Sequence, residues 1–321
     1  MKFLTHIRMM LLCLHIVMIQ SHEHSNTIVF DTPDSSCHKL SIGLENSITY
    51  LTKKWQLHGL APISYPSVFN NYIAHAYSEL YQQDIIIKIG QSNDECKALE
   101  YFQGNGMVEL LDYDLEHFAL LLQYIPSNIT LADYLCITQD DNLAISAFVD
   151  VFKRIHASPK HLTVAHYVKL EDELFLLHSY NFTKIPAHLL QKACNLYGQL
   201  FRSDTPEYLL HGDLHCRNIL QNDNEFIAID PWASVGPLTY EAASFLTSPT
   251  DFLLLHDTIQ DILQNRLNRL SDELQLDKQQ LRDFSFIRLI YLACICETKN
   301  RNDDWIEQFI QVAQVVNRLN I

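Results

Sequence analysis

"HGDLHCRNIL", residues 211–220, crowds two histidines, a cysteine, an arginine and a carboxylate into a short polar stretch. The wider run "EYLLHGDLHCRNIL" begins and ends on apolar residues that read as short strands. Its polar heart is therefore a loop held between two pieces of sheet. Ten residues on, "EFIAIDPW" is an apolar strand that ends in Asp230. The chain thus sets Asp213, then Asn218 five positions later, then Asp230 at a strand end.

Phosphoryl transfer calls for such a set. One carboxylate orients the attacking hydroxyl and accepts its proton, while an amide oxygen and a second carboxylate hold Mg²⁺ against the phosphates, because the hard ion prefers oxygen ligands. The catalytic loop of protein kinases spaces its Asp and Asn by the same five residues. A kinase also needs a cation on the nucleotide phosphates. "DIIIKIG" offers Lys88 after an unbroken apolar strand, where a buried lysine without a partner is costly. Glu95, on the helix that follows, can supply the ion-pair partner, with Glu100 as its competitor.

Composition sets the bounds. The chain has 321 residues, 48% of them apolar and 19% charged, which suits a globular protein with a sizeable core. A net charge of -15 argues against a nucleic-acid partner, which needs clustered Lys and Arg, and is compatible with a cationic small substrate. The 8 cysteines are scattered without a CxxC pair and read as buried thiols rather than a disulfide framework. Near the N-terminus, Lys2 and Arg8 precede "MMLLCLHIVMI", which resembles a signal-peptide core but is interrupted by His15 and is too short to span a bilayer.

Residues 1–39 are therefore expected to be a leader or a dispensable extension, and no stable membrane insertion is expected. Residues 40–126 read as a sheet-rich N-lobe that binds nucleotide: helical spacing over 41–60, a hairpin over 67–90, a short helix stopped by Gly104, and two further strands. Residues 127–321 read as a mostly helical C-lobe with helices over 143–156, 186–202, 251–270, 273–300 and 303–319 around a strand interlude. The class is α+β.

The motifs "HGDLHCRN" and "FIAIDPWASVGPLTYEAASFL" resemble those of the aminoglycoside phosphotransferase family. Together with "KKWQL", "IIIKIG", "ECKALEYFQGNGMVELLDYD" and "ALLLQYI", they are most similar to its streptomycin 6-phosphotransferase and hydroxyurea kinase branch. The likeness runs over about residues 40–320. It implies a two-lobed protein-kinase-like fold and an ATP- and Mg²⁺-dependent kinase of a small-molecule hydroxyl, with a cytoplasmic location. The acceptor it implies is a cation of the streptomycin type. It also implies Asp213 as catalytic aspartate, Asn218 and Asp230 as metal ligands, and Lys88 as the phosphate-binding lysine with Glu95 its partner. Backbone groups of Gln123, Tyr124 and Ile125 would meet the adenine, and His211, His215 and Glu241 would support the loop.

The sequence departs from the family pattern in places. Glu241 follows Tyr240 where the family has Asp, a change expected to matter little. "HCRN" replaces "HHGN" and is expected to put Arg217 beside the metal site. The turn near 70–80 has no glycine with which to cradle phosphate.

Three other readings remain open. The acceptor can be a hydroxyurea-like compound or another small metabolite. A metal-dependent phosphohydrolase could use His211, Asp213, His215 and Asp230 on two cations, but it would need further ligand clusters, and His156, His161 and His166 fall in helical or loop stretches. An inactive nucleotide-binding pseudokinase would be expected to have lost one of Lys88, Asp213, Asn218 or Asp230, and all four are present.

Overall fold

A computed structural model describes residues 35–64, 71–90, 94–157, 167–201 and 206–321. Residues 1–34 of the expected leader, with His161 and His166, lie outside the described residues. The chain forms two compact units: residues up to Cys96 with Glu109–Tyr124, and Lys97–Val108 with Ile125–Ile321.

The first unit is a five-stranded antiparallel sheet in the order β1-β2-β3-β5-β4 with a helix, Ser35–Lys54, packed on it. The strands are β1 Leu57–Ser64, β2 Tyr72–Ser78, β3 Gln83–Ile89, β4 Leu110–Asp114 and β5 Ala119–Gln123. Leu44, Ile48, Leu51 and Trp55 recur at helical spacing and meet Ile85, Ile87 and Ile89 from one face of β3. Lys54 Nζ reaches Asp114 Oδ2 at 2.8 Å and Trp55 Nε1 donates to Asp112 Oδ2 at 2.8 Å, tying the helix end to β4. The helix stops earlier than its spacing suggested. Gln56 turns the chain with a φ of 51°, and Leu57 then pairs with Ser78 in β1. The helix also begins at Ser35, ahead of the expected start near Leu40.

The second unit is mainly helical and carries two small sheets. One is β6 Val168–Lys169, β10 Ser234–Gly236 and β7 Tyr208–Leu210, in that order. The other is the hairpin of β8 Ile219–Asn222 with β9 Glu225–Ala228. The region read as one helix over 251–270 is two, Thr250–Leu254 and Ile259–Leu274, because three-residue turn bonds such as Ile259 N to His256 O, 3.1 Å, interrupt it. Leu238–Leu246 is a helix that the sequence pattern did not show. Every residue from Thr239 to Leu246 is buried, so no polar stripe marks its period. The helix Lys278–Thr298 is buried along most of its length. Among the described residues no helix is long and apolar enough to cross a membrane. The described cysteines are free thiols, and burial pushes the Cys216 thiol up to about 11.

Arg266 anchors this unit. Its side chain is 0% exposed, pairs with Asp141 Oδ1 at 2.6 Å, and donates to the carbonyls of Phe245, Leu246 and Ser248. Ser248 Oγ in turn accepts from Cys216 N at 2.9 Å, so the guanidinium braces the end of the 211–218 loop from beneath. Removing one partner of such a buried pair leaves the other uncompensated. Arg266→Ala is expected to cost about 3–5 kcal/mol, read as a lowered denaturant midpoint for the unit, and activity should fall with the folded fraction.

Candidate active site

The loop His211–Asn218 leaves β7 in the three-stranded sheet and enters β8 in the hairpin. The segment Ile229–Ala233 makes the reverse passage, from β9 back to β10. Two connections therefore run side by side between the same two sheets, and backbone bonds stitch them: Trp232 N to His211 O at 2.7 Å, Ala233 N to His211 O at 3.1 Å, and Ile229 N to Asn218 O at 2.9 Å. This stitching gathers Asp213, Asn218 and Asp230 on adjoining strands of chain. Asp230 sits two residues beyond the end of β9, at a φ of 59° that an aspartate tolerates better than most residues.

Inside the loop each polar group has a task. Glu241, wholly buried, accepts from the His211 amide at 2.6 Å and the Gly212 amide at 3.0 Å. Burial works against its charge, but His156, His211 and the Gly212 amide outweigh that and hold the carboxyl below its usual range. His156 Nε2 lies 3.4 Å from Glu241 Oε1. Glu241 is thus the grip on the loop's first turn, in keeping with the supporting place expected of it.

His211 Nδ1 accepts from Asp213 N at 3.3 Å and its Nε2 reaches Ile229 O at 2.9 Å, a pattern that fits a neutral ring carrying its proton on Nε2. Burial favours that neutral form, lowering the ring's affinity for a proton. Gly212 adopts a φ of 83°, and a Cβ there would come within 3.0 Å of Ser234 Oγ.

Asp213 is held from three sides. Arg288 Nη2 donates to its Oδ1 at 2.7 Å, His215 Nε2 lies 3.4 Å from its Oδ2, and Asn218 Nδ2 donates to its carbonyl at 3.0 Å. His215 Nδ1 accepts from Arg217 N at 3.2 Å, which leaves Nε2 to carry the proton toward Asp213. Burial opposes the charge on Asp213, yet His215 and Arg288 overrule it and keep the carboxyl far below the usual carboxylate range. Asn218 commits its amide nitrogen to the Asp213 carbonyl, and its side-chain oxygen takes no part in that bond. The Arg217 guanidinium meets Asp251 Oδ2 at 2.7 Å.

In the first unit, Lys88 lies on the face of β3 opposite Ile85, Ile87 and Ile89, yet is only 5% exposed. Its Nζ is 2.6 Å from Glu95 Oε2, so Glu95, not Glu100, is the ion-pair partner. Gln123 ends β5 opposite Ile85, Tyr124 sets its ring 4.5 Å from His75, and Ile125 is buried in the second unit. Arg288 and Glu173 are neighbours of Asp213 that the motifs do not contain, and Trp232 lies in a quoted motif without a role having been read from it. No local spacing could have found Arg288, which arrives 75 residues later in the chain.

An antiparallel sheet unit with a buried Lys–Glu pair and a helical unit carrying this loop define a kinase-like fold of the small-molecule type. Solved structures agree. A choline kinase of Streptococcus pneumoniae aligns with a TM-score of 0.59 at 16% identity, covering 85% of this chain and 99% of that one. A mutant aminoglycoside phosphotransferase solved with AMP-PNP and hygromycin B aligns at 0.56 and 12% identity, covering 83% and 97%. The model of the aminoglycoside/hydroxyurea antibiotic resistance kinases matches residues 83–302, and the chain belongs to that family. A streptomycin 6-kinase of Streptomyces griseus is 24% identical over 217 residues, 64% of this chain and 68% of that protein. The protein is a phosphotransferase acting on a hydroxyl group.

Glu241→Gln presents an amide N–H to backbone donors and leaves one of them without an acceptor. It is expected to lower stability by about 1–3 kcal/mol, checked by chemical denaturation, and to reduce turnover of the remaining folded enzyme.

Proposed function

We propose that the protein transfers the γ-phosphate of ATP, with Mg²⁺, to a hydroxyl of a cationic small molecule, a streptomycin-type aminoglycoside first among candidates. The observation that carries this is Asp213: a carboxylate kept charged by Arg288 and His215, beside an asparagine whose oxygen is left to a cation. The streptomycin 6-kinase relative and the net charge of -15 support the choice of acceptor.

In this reading Asp213 accepts a hydrogen bond from the acceptor hydroxyl and orients it. A loose transition state, in which proton transfer lags behind phosphoryl transfer, asks for orientation of the hydroxyl more than for a strong base. Asn218 and Asp230 supply the hard oxygen donors that Mg²⁺ takes. Among the described residues no three His, Cys, Asp or Glu gather to cage a metal, and Mg²⁺ in kinases needs no such cage, since water and phosphate complete its shell. When bound, the ion neutralises charge developing on the phosphates. Lys88, steadied by Glu95, is assigned to the nucleotide phosphates, and backbone groups of Gln123, Tyr124 and Ile125 to the adenine.

Asp213→Asn is expected to lower kcat by about 10² to 10⁴-fold. It also leaves the Arg288 guanidinium uncompensated, so turnover is to be measured well below a lowered melting midpoint. Asp230→Ala should weaken Mg²⁺–ATP binding more than Asn218→Ala, since it removes a charged donor; equal, unchanged affinities by calorimetry defeat the metal assignment. If acceptor capture is electrostatic, KM for streptomycin should rise as salt shortens the screening length to about 8 Å, with KM for ATP moving less. Absence of transfer to streptomycin alongside transfer to a neutral alcohol removes the acceptor claim and leaves the kinase.

A further inference from the structure

Glu173 ends up beside the loop through sheet pairing. It lies on the short helix Leu170–Leu174, which follows β6 directly, and β6 pairs with β10, the strand that Trp232 precedes. The Trp232 indole Nε1 donates to Glu173 Oε1 at 2.8 Å. Trp232 in turn packs on the loop, since a Cβ on Gly212 would come within 3.1 Å of its Cβ. Both Glu173 and Trp232 are half-buried and keep an edge toward solvent.

The carboxylate is poorly compensated. Among the described residues Glu173 makes no ion pair, and its one hydrogen-bond donor is the neutral indole. The cation nearest in charge, Arg288, spends Nη2 on Asp213. Burial pushes the Glu173 carboxyl up to about 8, and the negative charges of Asp213 and Asp172 add to the rise. A fold gains nothing from such a group. Its folded-state proton affinity lies above the unfolded value of about 4.3, so its contribution is favourable only at acid pH and is lost as pH rises toward about 8. Polar groups that tax the fold and face a reacting centre are those a ligand completes.

We infer that Glu173 and Trp232 form the subsite for a cationic group, guanidinium or ammonium, carried by the acceptor, with the Glu173 carboxylate as its counter-ion and the indole as its aromatic wall. A carboxylate held at the edge of the indole leaves the ring face free, and an organic cation can use both the counter-ion and the π-face where a neutral alcohol uses neither. This rests on the phosphotransfer reading of the same loop, and it names what selects the substrate there.

The test is Glu173→Gln in the full chain, with streptomycin as probe. Glutamine keeps an oxygen for the Trp232 indole and removes only the charge. Streptomycin binding by calorimetry is expected to weaken on the order of 10 to 100-fold, the worth of a hydrogen bond to a charged partner, with a shallower salt dependence of Kd. KM for streptomycin should rise far more than kcat falls. The melting midpoint at pH 8 should equal or exceed the parent's.

A Kd within about twofold of the parent's overturns the subsite, as does a parent that does not bind streptomycin. A steep drop in melting midpoint overturns it too, because Glu173 would then be an anchor for Trp232. The two readings fail separately. Binding that depends on Glu173 without phosphate transfer sinks the kinase reading and supports the subsite. Transfer that ignores Glu173→Gln sinks the subsite alone.

Discussion

The second unit depends on one carboxylate gripping two successive backbone amides. Glu241 takes the N–H groups of His211 and Gly212, and so fixes where the loop leaves β7. From that point the chain has little freedom. The His211 carbonyl receives Trp232 and Ala233, the His211 ring receives Asp213 and reaches Ile229, and the Asn218 carbonyl receives Ile229. Two crossing segments become one rigid ribbon. Burying Glu241 is costly in itself, and the bonds it collects from His156, His211 and Gly212 are what keep it charged there. Removing the grip would free not one contact but the register between both segments, and with it the position of Asp230 along the 211–218 loop.

The carboxylates around this ribbon are pushed in opposite directions. Asp213 is drawn far down by His215 and Arg288, whereas Glu173 is driven up to about 8 by burial and by Asp213 itself. Two neighbouring acids with separated proton affinities have different work to do. The one that its neighbours His215 and Arg288 hold charged suits a hydroxyl donor. The one whose charge is unfavourable until a cation arrives suits recognition.

The parts of the site that sequence could show are those with short-range grammar. Asp213, Asn218 and Asp230 are bound to one another by spacing and by a strand end, and Lys88 betrays itself by breaking an isoleucine run on a strand. Other parts are set by distance through the fold. Arg288 comes 75 residues after Asp213 and Trp232 comes 59 after Glu173, and no window of sequence contains both partners. The helix that carries Glu241 escaped for a related reason: it is buried on all sides, so neither its period nor the inward aim of its acid leaves a trace in the sequence. The early end of the Ser35–Lys54 helix turned on Gln56, whose left-handed backbone has no glycine or proline to announce it.

The same distinction explains which motif positions can drift. Arg217 replaces a glycine in the familiar pattern, and the structure absorbs it because that side chain leaves the loop and finds Asp251. Cys216 fits because it is small and its thiol reaches the Ser248 carbonyl at 3.2 Å. Positions 211, 212, 213 and 218 have no such exit. His211 must both accept and reach with its two ring nitrogens, Gly212 must have no Cβ, and Asn218 must donate to a carbonyl while keeping an oxygen. An arginine or a leucine at any of them would have to displace backbone. The family's motif is therefore less a record of chemistry alone than of which side chains point inward where two segments of chain cross.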